Sequence, residues 1–159
     1  IKVIIPKSWI FSLPVFEYKL FCVKNRVIKK NKMIENFLII NCIGKNDKVG
    51  LKVGDNFYIH DLNLKNKNND LLVESILNLV KKHKVNFNIN FSILVNSGPG
   101  SFSSMRVSLA VAKGIKLSKK INLFGFKNSD LGQFSLANIE LLINKDLIQK
   151  KLIKPLYLS

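Results

Sequence analysis

The stretch Ser97 to Gly114, SGPGSFSSMRVSLAVAKG, constrains the fold more than any other part of the chain. It follows an apolar run (Phe91, Ile93, Leu94, Val95) and precedes another (Ile121, Leu123, Phe124). This order predicts a strand, a tight Gly-Pro-Gly turn, a helix rich in small residues and a further strand. Gly98 and Gly100 accept backbone angles closed to residues with a Cβ, while Pro99 fixes one φ between them. Ser101 or Ser103 is positioned to cap the helix by accepting a backbone N–H. Ser104, Ser108 and Ala112 recur at spacing four, a flat stripe that lets another helix approach closely. The turn supports two readings: a tight strand-to-helix connection, or a phosphate cradle built on free N–H groups at a helix start. Neither GxxxxGK[ST] nor GxGxxG is present, so the usual phosphate-binding signatures are absent. Arg106, on the first or second helical turn, suits an anion or an acidic partner surface.

Elsewhere the periodicity predicts a regular α/β order. Phe37 to Ile43 reads as a strand and Gly44 to Asn46 as a turn. Val49, Leu51 and Val53 alternate with Lys48, Gly50 and Lys52 in a half-exposed second strand. Gly54-Asp55-Asn56 is a hairpin turn, and Phe57 to His60 is a third strand. Asp70 to Lys84 forms an amphipathic helix with Leu72, Ile76, Leu79 and Val80 on one face and Asn69 or Asp70 as its cap. After the strand from Ile121 to Phe126, a third helix is expected from Ser129 or Asp130 to about Asn144. A further helical piece follows over residues 146–154, then a short strand over residues 155–158. The order β-β-β-α-β-α-β-α resembles half of an actin-like ATPase domain.

The 159 residues suffice for one domain, or a domain plus an extension, and 47% hydrophobic content supports a real core. Residues 1–32 differ from the rest, with apolar clusters broken by Pro6, Pro14, Glu17 and Lys19. No apolar run there approaches a membrane span, and no cleavage-site pattern marks a secretory signal. Met33 is the first methionine, so residues 1–32 are expected to be upstream translation or an extension, with the domain over 33–159.

A net charge of +16 invites a nucleic-acid reading. The excess is nearly all lysine, 24 Lys against 2 Arg, spread along a chain also rich in Ile, Asn and Phe. Drift toward AT-rich codons produces that profile without selection for RNA, and no RNP-like aromatic motif accompanies it. Cys22 and Cys42 lack metal spacing and read as reduced thiols of a cytoplasmic protein. His60 and His83 have no metal-binding pattern around them. The carboxylates Asp47, Asp55, Asp61, Glu74, Asp130 and Glu140 are isolated, and no nucleophile–base pair stands out.

Together, these residues resemble the TsaB (YeaZ) family of tRNA threonylcarbamoyladenosine biosynthesis. GPGSFSSMRVSLAVAKGI (residues 98–115) is similar to the family's GPGSFTGLRIGLATAKGL. INLFGFKNSDL (121–131) resembles PLVGVSSLDAL, and KPLYLS (154–159) resembles the family ending PLYLR. The helix DLLVESILNLV (70–80) sits where the family has LLPLIDELL, so the likeness runs over residues 37–159.

The resemblance implies an actin-like (ASKHA, ribonuclease H-like) fold and a non-catalytic scaffold or dimerisation subunit. Its implied partners are a TsaD-like catalytic subunit and a TsaE-like ATPase, with tRNA reached through the complex. The complex uses ATP, and no cofactor is expected on this chain alone. A homodimer is expected when the partner is absent. Two departures stand out. The family's IDTST loop is Ile40-Asn41-Cys42-Ile43-Gly44 here, without its acid and hydroxyls, which argues against autonomous nucleotide chemistry. The segment from Leu131 to Lys154 is also too short for the family's second lobe.

On this reading the motif loop Gly98, Pro99, Gly100, Ser101, Phe102 and Arg106 is a candidate nucleotide-proximal element. Leu72, Ile76 and Leu79 on the first helix, with Ser104, Ser108, Val111, Ala112 and Ile115 on the second, are the candidate partner interface. Packing against the chain's own sheet is the competing role for both stripes. Under the interface reading, Ser108→Lys or Ala112→Lys blocks partner binding without unfolding. The alternatives to a scaffold are a small basic RNA-binding module and a degenerate relative of M22 peptidases.

Overall fold

The computed structural model describes residues 34–62, 70–150 and 153–157. The expectations for residues 1–32, for Asn69 as a helix cap and for Leu158 lie outside these residues. Five strands form one mixed sheet: β1 (Asn36–Asn41), β2 (Lys48–Val53), β3 (Asn56–Asp61), β4 (Phe91–Asn96) and β5 (Asn122–Phe126). Their spatial order is β3-β2-β1-β4-β5. β2 runs antiparallel to both β1 and β3, while β1, β4 and β5 are mutually parallel. The predicted antiparallel meander forms one side of the sheet and the three parallel strands the other.

The central strands are apolar on both faces because both faces are covered. Leu38, Ile40, Val49, Leu51, Ile93, Val95 and Leu123 point to one side. There they meet Leu72, Ile76 and Leu79 of α1 (Asp70–Lys82), and Leu109 and Ala112 of α2 (Phe102–Lys119). Phe37, Ile39, Leu94, Phe124 and Phe126 point to the other side. They pack on Leu131 of α3 (Asn128–Leu131) and on Ile139 and Leu142 of α4 (Leu136–Asn144). The result is three layers, helix on sheet on helix.

Several local expectations are corrected. β2 is not half-exposed: Gly50 is buried, and a Cβ there would come 2.7 Å from Ile39 Cγ2 and 2.8 Å from the Phe57 ring. α1 stops at Lys82, and Lys84 takes a left-handed φ of 47°. The expected third helix is two helices. Gly132, with φ of 64°, breaks the chain after Leu131, and Ser135 starts α4 by accepting the Asn138 N–H at 3.4 Å. Residues 146–150 form no helix. Instead Gln149 exchanges backbone hydrogen bonds with Gly125 at 2.7 and 2.9 Å, covering the free edge of β5. The expected last strand is reduced, among the described residues, to a single parallel bridge between Tyr157 and Gly100.

Candidate functional site at the ends of the parallel strands

After β1 the chain turns toward β2, and after β4 it crosses toward β5. The carboxyl ends of β1 and β4 therefore flank the point where the winding direction reverses. In open α/β sheets such a point is where loops diverge and leave room for a ligand. The motif loop opens there. Asn41, the last residue of β1, and Asn96, the last of β4, face each other, and Asn96 Nδ2 donates to Asn41 Oδ1. Asn96 Nδ2 also lies 3.2 Å from Asn128 Oδ1, just beyond β5. Two buried amides at the ends of β1 and β4 thus join the part-buried Asn128, two residues past β5, in one polar cluster.

The motif loop is built on this cluster. Asn96 Oδ1 accepts the Gly98 N–H at 2.8 Å. Ser97 donates its N–H and Oγ–H to Phe126 O at 2.8 and 2.9 Å, and its own carbonyl accepts the Leu156 N–H at 2.7 Å. The Asn128 N–H closes the far side on Gly98 O at 2.8 Å. Gly98 has φ of 103°, and a Cβ there would collide with the Leu156 carbonyl and the Met105 side chain, so only glycine fits. Gly100 packs on the Ile43 backbone, and the Ser101 N–H donates to Ile43 O at 2.8 Å. The loops after β1 and β4 are thereby clamped together. Ser101 is the N-terminal boundary residue of α2, but its side chain makes no capping bond, and Ser103 lies within the helix.

Asp47 supports the loop after β1 from below. Its Oδ1 accepts the N–H groups of Ile43 and Gly44, each at 2.8 Å, while its buried Oδ2 has no partner among the described residues. Burial pushes the Asp47 carboxyl above the usual carboxylate range, opposed by backbone N–H groups of Gly44, Ile43 and Lys45. Burial, aided by the Asp47 charge, likewise pushes the Cys42 thiol far up, so it stays protonated. The loop thus contains a carboxylate after all, supplied by the start of the β2 arm rather than by the end of β1.

The structure divides the remaining candidates. Pro99, Ser101, Phe102 and Arg106 are exposed, whereas Gly98 and Gly100 are buried within the loop. Arg106 lies 4.7 Å over the Phe102 ring. Among the described residues, the ion pair present is elsewhere, between Lys48 and Asp61 at 2.8 Å. Leu72, Ile76, Leu79, Ser108 and Ala112 are buried in the chain's own core, so in this fold they are not a free surface. Ser108 and Ala112 let α2 lie close on the sheet, with the Ser108 hydroxyl donating to Met105 O at 3.1 Å. Ser104, Val111 and Ile115 remain partly exposed. The exposed large apolar side chains of the two helices are instead Val73 and Leu77 on α1 and Phe102 and Leu117 on α2.

Sequence reasoning missed Asn41, Asn96 and Asn128 as a unit, and gave Asp47 no role. The available signal was an asparagine ending each of two otherwise apolar runs, FLIIN and FSILVN. Among the described residues there is no cluster of three metal-ligating side chains, and no helix is long and apolar enough to cross a membrane.

No protein-family model matches this sequence, and no curated protein matches it. The fold, however, matches solved structures. YeaZ from Pseudomonas aeruginosa superposes with a TM-score of 0.54 at 17% identity, over 61% of this chain and 45% of that one. The crystal structure of an uncharacterized protein with similarity to peptidase YEAZ, from the same organism, gives 0.54 and 17% over 61% and 44%. The chain thus spans less than half the length of these proteins. At this identity the likeness shows a shared α/β fold, the one that the motif resemblance implies.

Proposed function

We propose that the chain is a TsaB-type scaffold subunit that binds and supports a TsaD-like threonylcarbamoyltransferase acting on tRNA. One coincidence carries this reading. The stretch resembling the family, residues 98–115, forms the β4–α2 junction at the winding reversal of a lobe with the YeaZ fold.

A non-catalytic role is supported by the commitment of two of the loop's donors within the chain. A phosphate cradle needs free backbone N–H groups aimed at the ligand. Here the Gly98 N–H is held by Asn96 Oδ1 and the Ser101 N–H by Ile43 O. Asn41 ends β1 with a neutral amide that is committed to Asn96. The loop is thereby organised as a strut between strands. ATP use belongs, on this reading, to a TsaE-like ATPase in the same complex.

The partner surface is the outer side of the α1–α2 layer. Val73 and Leu77 are one turn apart on α1 and 43% and 49% exposed, and Leu117 on α2 is 76% exposed. Ala110 and Gly114 lie exposed near Leu117 and leave room for a helix to approach. Covering this patch stabilises a heterodimer, and in the partner's absence a homodimer.

The test is co-expression of the chain with the TsaD-like protein of the same organism, followed by affinity capture and size exclusion. A stable complex that Leu77→Lys disrupts is the expected result. A folded chain with no affinity for that protein overturns the reading.

A further inference from the structure

One exposed surface serves neither the core nor the α1–α2 face. Phe102 and Tyr157 are 53% and 43% exposed, with ring centroids 4.8 Å apart and planes 40° from parallel. The Arg106 guanidinium covers the Phe102 ring at 4.7 Å. Two rings and one planar cation therefore form a continuous row at the start of α2, with Pro99 and Leu156 exposed beside them. The row is assembled from distant segments. Tyr157 is delivered by the Leu156–Ser97 hydrogen bond and the bridge to Gly100, which already fasten the segment without the rings.

Exposed basic side chains lie on α2 and on the two segments beside the row. α2 carries Arg106, Lys113, Lys116 and Lys119 and no carboxylate. Lys154 is exposed three residues before Tyr157, within about 10 Å along an extended chain. Lys45 is exposed next to Gly44, whose Cβ position would lie 2.7 Å from Ser101 Cβ. An occupant that suits this surface offers flat π faces to the rings and negative charge to the lysines. An acidic peptide supplies the charge without the faces. A nucleic-acid strand with an unpaired base supplies both, since bases stack on aromatic rings and guanidinium planes while phosphates meet the cations.

We propose that Phe102, Tyr157 and Arg106 form a stacking platform for an unpaired base of a single-stranded nucleic acid, with Lys45 and Lys154 meeting the adjoining phosphates. This proposal is independent of the scaffold reading and is tested on the full chain alone. Binding of a short, unstructured, fluorescently labelled RNA is followed by anisotropy, with an RNA duplex of equal length as control.

Phe102→Ala and Tyr157→Ala are each expected to weaken single-strand binding about tenfold, with the duplex affinity and salt slope unchanged. Phe102→Leu, which keeps apolar bulk, should lose as much, while Phe102→Trp restores binding. Lys154→Gln should weaken both ligands and lower the salt slope by about 0.7. Circular dichroism verifies that each variant is folded. If a folded Phe102→Leu chain binds the single strand like the parent, the platform is overturned. Equal losses for strand and duplex would overturn it too, since charge alone then explains the binding. So would a Phe102→Leu variant that keeps RNA affinity and loses a protein partner.

Discussion

Two glycines show how residue identity acts through its surroundings. Gly98 needs a left-handed φ and has the Leu156 carbonyl where a Cβ would go. Gly114 sits in α2 with nothing within 4 Å of its Cβ position. Gly98→Ala is therefore expected to cost about 3 kcal/mol or more, and Gly114→Ala to stabilise by about 0.5–1 kcal/mol through lower unfolded-state entropy. Urea midpoints measure both, and equal effects would refute the placement of Gly98. Asp47 gives a pH test. Its folded-state carboxyl holds a proton more tightly than the unfolded chain does, because burial outweighs the backbone N–H groups. Stability should then fall as pH rises from about 4 through the raised folded value, as the ionised form finds no partner for Oδ2 among the described residues. Asp47→Asn should remove that slope from a plot of urea midpoint against pH.

At the scale of elements, helix periodicity identified the apolar stripes but not what covers them. The sequence leaves Leu72, Ile76, Leu79, Ser108 and Ala112 open between partner interface and core, and in this chain they are buried against the sheet. The physical reason is that a buried stripe has the same spacing whether a sheet or a second protein covers it. The substitutions that the interface reading expects to spare folding are accordingly expected to damage it. Ser108→Lys and Ala112→Lys place a charge at fully buried positions and are expected to cost about 4 kcal/mol or abolish folding. Ala110→Lys, two residues from either, faces solvent and should change stability by less than about 0.5 kcal/mol while weakening partner capture. Thermal melts and affinity capture of the same three variants separate fold from interface. The third helix was missed as two because Gly132 and Ser135 act together: one ends a helix and the other begins the next.

Over the whole molecule, like charge is the dominant electrostatic fact. With 26 basic against 10 acidic residues, the folded chain concentrates lysines that the unfolded chain spreads apart. Raising salt from low to physiological concentration screens this repulsion over distances of about 10 Å. The urea midpoint is therefore expected to rise with sodium chloride, where a protein held by surface ion pairs would lose stability. A falling midpoint would show that ion pairing outweighs repulsion in the lysine-rich surface.

The sequence by itself determined the strands, the meander, the two main helices and the strand–turn–helix motif. Each rests on neighbours within a few residues: alternation for strands, spacing of three and four for helices, Gly and Pro for turns. It also carried the resemblance that the fold then matched. Only the tertiary structure decided which helix faces turn inward and that Asn41, Asn96 and Asn128 meet. It alone placed Asp47 under the loop after β1, and Tyr157 beside Phe102. The asparagine cluster and the Phe102–Tyr157 pair join residues far apart in the chain, so no local pattern encodes them; the parallel register of β1, β4 and β5 brings three strand ends to one place, and the Gly100–Tyr157 bridge delivers the second ring. Asp47 lies only three and four residues from Gly44 and Ile43, and its burial under their N–H groups is set by the packing of the loop.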